Sequence, residues 1–189
     1  IFRNDPYQAG KYLANFSKLV RSILENSRLE QISIAKEVET ITHYLELQAL
    51  RFEGKFSYTI DIAQEIDQEH MFIPPMLAQP FIENAIEHGI IHISSKGLIS
   101  IRFIHSEPFV LLEVEDNGIG IEKSTEFNVN KREEHKSLAT RITQERINNL
   151  RKVFGKGIRM EIIDLKKLHT LDNTGTLVRF IIPVIIRSE

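Results

Sequence analysis

Val110-Leu111-Leu112-Glu113-Val114-Glu115-Asp116-Asn117-Gly118-Ile119-Gly120-Ile121 is the stretch on which the fold of this chain turns. Four of its first five residues are strongly apolar, as in a strand buried in a sheet, and the strand runs into a carboxylate and two glycines. A carboxylate at the end of a buried strand is costly to desolvate unless something donates to it. The donor can be an amine on a bound ligand, such as the exocyclic amine of adenine. It can equally be the N–H groups of an ordinary Asn-Gly turn, with Asp116 accepting them. Gly118 and Gly120 serve both readings, because they let the backbone bend sharply and approach another group closely.

On either side the pattern is of alternating layers. Leu98 to Ile104 and Phe109 to Glu115 read as two strands joined at Ser106-Glu107-Pro108. Further upstream, Phe56, Tyr58, Ile60 and Ile62 alternate with polar residues in a half-buried strand. Pro74-Pro75 is expected to open a helix through Met76, Leu77, Phe81, Ile82, Ala85 and Ile86 that closes at Gly89. Downstream, a charge-rich loop follows Glu122, a helix runs from about Leu138 to Gly155, and strands Ile158–Leu168 and Thr176–Ile186 end the chain. The first fifty residues are helical. Asp5-Pro6 starts one amphipathic helix with Leu13, Phe16, Val20, Ile23 and Leu24, and Ser33 starts a second that stops around Gly54. These two form a hairpin, pair with another chain, or simply pack against the rest of the domain. The expected fold is α+β, a two-layer α/β sandwich in which a mixed sheet carries helices on one face, preceded by amphipathic helices.

Composition removes several function classes. With 42% hydrophobic residues in 189, the chain has material for a sizeable core and is not a disordered segment. Its net charge of −2 provides no basic field for nucleic acid or anionic lipid, so no nucleic-acid partner is expected. The absence of cysteine excludes disulfide scaffolds, thiolate metal sites and cysteine nucleophiles. No apolar stretch approaches the roughly 20 residues of a membrane helix, so this chain is not expected to span a membrane itself. It begins at Ile1 and is read as part of a longer protein.

A second motif carries chemistry: Pro80-Phe81-Ile82-Glu83-Asn84-Ala85-Ile86-Glu87-His88-Gly89. On a helix, Asn84 and His88 lie four residues apart and project from one face. An amide oxygen there can serve magnesium, which takes oxygen ligands and keeps several waters, so that one neutral ligand plus phosphates suffices. Taken alone, the same residues are ordinary solvent-facing or capping groups. A third element, Thr174-Gly175-Thr176, precedes the last strand, where a hydroxyl could support Asp116; by itself it is a turn.

In this order and spacing the three elements resemble the Bergerat-type ATP-binding fold of histidine kinases, type II topoisomerases and Hsp-type chaperone ATPases. Ile73-Pro74-Pro75-Met76-Leu77-Ala78-Gln79-Pro80-Phe81-Ile82-Glu83-Asn84-Ala85 is similar to the N box of LytS/YehU-type sensor histidine kinases. Tyr44-Leu45-Glu46-Leu47-Gln48 with Arg51-Phe52, Ser137-Leu138-Ala139-Thr140, Gln144-Glu145-Arg146-Ile147, and Asn173-Thr174-Gly175-Thr176 with Phe180-Ile181-Ile182-Pro183 extend the likeness over the whole chain. The resemblance implies that residues 1–54 are the C-terminal part of a dimerisation and phosphoacceptor region. Residues 55–189 would be the catalytic domain, with an ATP lid at about 122–137. It implies ATP and Mg2+ as ligands, with Asn84 on the metal and Glu83 and His88 beside it as catalytic residues. Asp116 would accept from the adenine amine, Gly118 and Gly120 would shape the pocket wall, and Ser137, Leu138 and Ala139 would form the second glycine box. Thr176 would sit near the adenine.

The implied activity is transfer of the ATP γ-phosphoryl to a histidine, and from there to a response regulator, which relatives often couple to a LytTR DNA-binding domain. The implied protein is a homodimer anchored in the inner membrane, with this part cytoplasmic. None of the seven histidines matches the His-Phe-x-Phe-Asn phosphoacceptor motif of such proteins, so the motif is expected upstream of Ile1 and this chain alone is not expected to phosphorylate itself. The sequence departs from the family pattern in three ways. Ser137 and Ala139 replace glycines, Glu87 stands where many relatives carry lysine, and Pro80 occupies the position of the water-activating glutamate of the ATPase branches. The last argues against hydrolysis as the main reaction. The first two favour an alternative reading, a degenerate kinase that binds nucleotide or a partner and signals without phosphotransfer.

Overall fold

The structure is a computed structural model and describes residues 6–121, 157–168 and 174–186. Asp5, the lid and the helix expected from Leu138 lie outside these residues. Helix α1 spans Pro6–Asn26 and α2 spans Ile34–Arg51, antiparallel to it, with Asn15 Nδ2 donating to Glu46 Oε2 (3.2 Å) and Asn26 Nδ2 to Thr40 Oγ1 (3.0 Å). Of the apolar stripe expected on α1, Val20 and Ile23 are half-buried whereas Leu13, Phe16 and Leu24 face solvent; the buried apolar residue of the helix is Leu19, outside that stripe. Ser33 caps α2 by accepting from Lys36 N, as Ser residues do when the first-turn N–H groups lack partners.

Five strands make the main sheet, in the order β2 (Phe56–Ile62), β4 (Gly97–Ser106), β5 (Phe109–Asp116), β7 (Thr176–Pro183), β6 (Arg159–Asp164). The β2–β4 pair is parallel and the others antiparallel, so the sheet is mixed. One face carries Ile99, Ile101, Phe103, Val110, Leu112, Val114, Phe180 and Ile182, against which α2 and residues 77–90 pack. Ile34, Ile41 and Leu45 of α2 belong to this same core. On the other face Glu113, itself buried, holds Arg102 on one side and Arg179 on the other, a charged row across three strands.

A second, small sheet has no signal in the periodicity: β1 (Ile32–Ser33), β3 (Met71–Ile73) and β8 (Ile185–Ile186). Strands of two or three residues are too short to show alternation. Two other elements differ from expectation. The strand expected to reach Leu168 stops at Asp164, whose Oδ1 accepts from Lys166 N and starts a helical turn, Leu165–Leu168. The N-box helix does not open at Pro74-Pro75. Met76 takes a left-handed conformation (φ 59°), and helix α3 begins only at Gln79, with Pro80 in its first turn.

Candidate functional site

The C-terminal end of β5 delivers Asp116 to a point where three strands end together. Strand register places Asp116 opposite Ile99 of β4 and Thr176 of β7, and Thr176 opposite Asp164 of β6. Asp116 is 6% exposed. Its Oδ1 accepts from Gly118 N at 2.8 Å, and the backbone N–H of Thr176 also donates to the carboxylate. Burial pushes the Asp116 carboxyl up to about 6; the two N–H donors pull it down, and the charges of Glu115 and Asp164 add to the push. At neutral pH the group is ionised and poised to accept, but held in an environment that penalises its charge. The Thr174–Thr176 element therefore supports Asp116 through a main-chain N–H. Asp164, which in the sequence has the look of an interior strand residue, is a second buried carboxylate close by.

The backbone around Asp116 is closed so tightly that side chains do not fit. A Cβ at Gly118 would lie 2.5 Å from Gly89 Cα, and one at Gly175 (φ 140°) would lie 1.9 Å from the Asp116 carbonyl oxygen. Gly120 is needed for conformation rather than space, with φ 77° and neighbours no closer than 3.5 Å. Gly89, read from the sequence as a helix stop, is thus the point where the N-box segment rests on the Asp116 turn. The signal available was that all four glycines fall within the three motifs.

The N-box segment is not one regular α-helix. Helix α3 covers Gln79–Asn84, a π-turn covers Ala85–Gly89, and a single 3₁₀ turn covers Ile90–His92. The widened turn, closed by Ile90 N to Ala85 O, replaces the i, i+4 stacking that would set His88 directly above Asn84. Phe81, Ile82, Ala85 and Ile86 face the core, with Phe81 edge-on to Phe180 of β7 at 5.3 Å, while Glu83, Asn84 and His88 are exposed. Glu87 pairs with Arg51 of α2 at 3.6 Å. Tyr44 of α2 is pushed up to about 12 by burial first and by the charge of Glu83 second, so the acidic side of α3 lies along α2.

Among the described residues no group of three or more His, Cys, Asp or Glu could hold a metal ion. The exposed amide oxygen of Asn84 is the donor type that magnesium accepts when phosphates and waters complete its shell, and the glycine-lined Asp116 turn is the acceptor type that an amino-purine meets. The residues present fit both groups. Ser137, Leu138 and Ala139 lie outside the described residues.

Residues 1–56 match the family model described as histidine kinase. The chain is 34% identical over 122 residues to the sensor protein LytS of Staphylococcus haemolyticus, covering 65% of this chain and 20% of that protein. It is 35% identical over 120 residues to the sensor histidine kinase YpdA of Escherichia coli K12 (64% and 21%), and 28% identical over 184 residues to LytS of Staphylococcus saprophyticus (97% and 30%). It thus spans about a fifth to a third of the length of these relatives. Its fold is similar to the histidine kinase domain of the blue-light activated kinase of Erythrobacter litoralis, with TM-score 0.56 and 16% identity over 92% of this chain and 79% of that one. The catalytic domain of histidine kinase ThkA superposes with TM-score 0.52 and 16% identity, over 81% and 94%. In sequence this chain is similar to sensor histidine kinases of the LytS type, and in fold to histidine kinase catalytic domains.

Proposed function

We propose that this chain is the ATP-binding catalytic part of a two-component sensor histidine kinase. In the intact protein the γ-phosphoryl of ATP passes to a histidine carried before α1, and then to an aspartate of a response regulator, of the LytTR-coupled kind by resemblance. The observation that carries this reading is Asp116, an acceptor buried at a sheet end beneath glycines that leave room for no side chain. Asp116 accepts from the adenine amine. Asn84 holds Mg2+ on the triphosphate, with Glu83 and His88 beside it, and Gly118, Gly120 and Thr176 form the wall. Bound ATP–magnesium supplies the transferable phosphoryl group; the protein's share of such transfers is positioning and charge neutralisation.

Residues 1–54 then complete a dimerisation and phosphoacceptor region, and 55–189 form the catalytic domain with its lid at about 122–137. The solvent-facing Leu13, Phe16 and Leu24 of α1 support pairing with a second copy. The localisation proposed is the cytoplasmic part of a membrane-anchored protein; no helix among the described residues is long and apolar enough to cross a membrane. Glu87, one of the features that favours a degenerate kinase, is paired with Arg51 at 3.6 Å, which offsets its negative charge.

The test is calorimetric titration of this chain with ATP and a non-hydrolysable analogue, with and without magnesium, alongside Asp116→Asn and Asn84→Ala. Binding is expected to be lost in Asp116→Asn and to lose its magnesium dependence in Asn84→Ala. No detectable binding by the unaltered chain would leave the degenerate kinase as the reading.

A further inference from the structure

Glu37 is fully buried, in the first turn of α2, and both of its carboxylate oxygens are used far away in sequence. Oε2 accepts from Met76 N at 2.9 Å and Oε1 from Leu77 N at 3.2 Å. Those two N–H groups belong to the turn that joins β3 to α3, where Met76 has φ 59°, a conformation that side-chain-bearing residues avoid. Consecutive N–H groups in such a turn converge and form an anion-binding concavity. Helix α3 has no side-chain cap of its own, since Ala78 precedes it. The approach of the N-box helix is therefore held by one carboxylate from another element. That element is itself anchored to the same turn, because Ile32 and Ser33 of β1 pair with Ile73 and Phe72 of β3.

We infer that Glu37 is a positioning residue for phosphoryl transfer: it locks the left-handed Met76 turn and thereby sets the direction in which α3 presents Asn84. This role rests on the reading of Asn84 as the magnesium residue, and it adds to that reading a residue which touches neither nucleotide nor metal. Removing the second acceptor frees Met76 to relax to negative φ, and α3 then pivots about its contacts with the sheet. Asp116 sits on β5, a different element, and keeps its hydrogen bonds. Two properties that a loss of fold would lower together are thereby separated: adenine recognition stays and metal coupling goes.

The test uses the present chain with Glu37→Gln, which keeps size and one acceptor. The readouts are the affinity for ADP without magnesium, the ratio of ATP affinities with and without magnesium, and amide exchange over residues 76–92. The expected result is ADP affinity within twofold of the unaltered chain and a magnesium ratio lowered at least tenfold. Exchange over 76–82 is expected to be at least tenfold faster. Adding Met76→Gly, which adopts positive φ freely, should restore most of the magnesium ratio. An unchanged ratio, an equal fall in both affinities, or no rescue by Met76→Gly would overturn the assignment. If Glu37→Gln does not fold, the comparison is made in the Met76→Gly background. If the unaltered chain binds no nucleotide, the proposed function fails by itself, and amide exchange over 76–82 still decides whether Glu37 holds the turn.

Discussion

Replacing Asp116 by Asn separates what the site costs the fold from what it does for ligand. Burial raises the Asp116 carboxyl from 3.8 to about 6, which is equivalent to about 3 kcal/mol. The sign follows from proton linkage. The folded state holds the proton more tightly than the unfolded chain, so between about pH 4 and pH 6 folding takes up a proton, and stability falls as pH rises through this window. Above pH 7 the ionised carboxylate costs the nucleotide-free protein about 3 kcal/mol relative to low pH. Asn carries no such term. The stability difference between Asp116→Asn and the unaltered chain should therefore move by about 2–3 kcal/mol in favour of the variant between pH 4 and pH 7.5. In a protein of this size that is roughly 5–10 °C in midpoint. Urea or thermal melts of both proteins at pH 4, 5, 6 and 7.5 measure this double difference, which cancels every titrating group that does not act on Asp116, leaving only the coupling to Glu115 and Asp164 beside it. ATP binding should run the opposite way, because the ionised carboxylate is the stronger acceptor and, unlike the acid or an amide, presents no donor to the amine; affinity weakens as pH falls below about 6 and is lost in the variant. A double difference that stays flat, or that favours the unaltered chain as pH rises, would refute the assignment of a desolvated carboxylate at this position.

Two glycine substitutions should differ sharply. Gly118→Ala drives a Cβ to 2.5 Å from the Gly89 backbone and should cost more than about 3 kcal/mol with loss of ATP binding, whereas Gly120→Ala meets only conformational strain, about 1 kcal/mol, in the same melts. Asn26→Ala leaves Thr40 Oγ1 without its buried donor and should cost about 1–3 kcal/mol by urea denaturation while ATP affinity stays unchanged, because α1 lies outside the nucleotide site. Phe16→Glu places a charge on the exposed apolar face of α1 and should weaken self-association at least tenfold in sedimentation equilibrium with no loss of monomer stability.

The strands and the helical hairpin were legible because their signals are local. Phe56, Tyr58, Ile60 and Ile62 alternate as a half-buried strand must, and Ser33 carries the capping hydroxyl of α2. The N-box helix was legible in kind but not in detail. Its start moved from Pro74 to Gln79 because Glu37 captures Met76 N and Leu77 N, a contact spanning about forty residues that no window of sequence contains. The π-turn at Ala85–Gly89 was equally hidden, since Asn84 and His88 satisfy α-helical spacing whether or not a residue is looped out between them.

By itself, the sequence singled out the residues proposed to carry chemistry: an acceptor after a buried strand, an amide and a histidine on a helix, and glycines at the joints. Type and spacing are local properties, and ligand chemistry constrains them directly. Only the tertiary structure decided how those residues are held. It set Gly89 against Gly118, placed Asp164 near Asp116, turned Glu87 to Arg51, and sank Glu37 beneath the turn that leads into α3. The physical reason is that burial and strand register act between segments distant in the chain. The same carboxylate chemistry is a solvated surface group in one packing and, in another, the part that fixes a site.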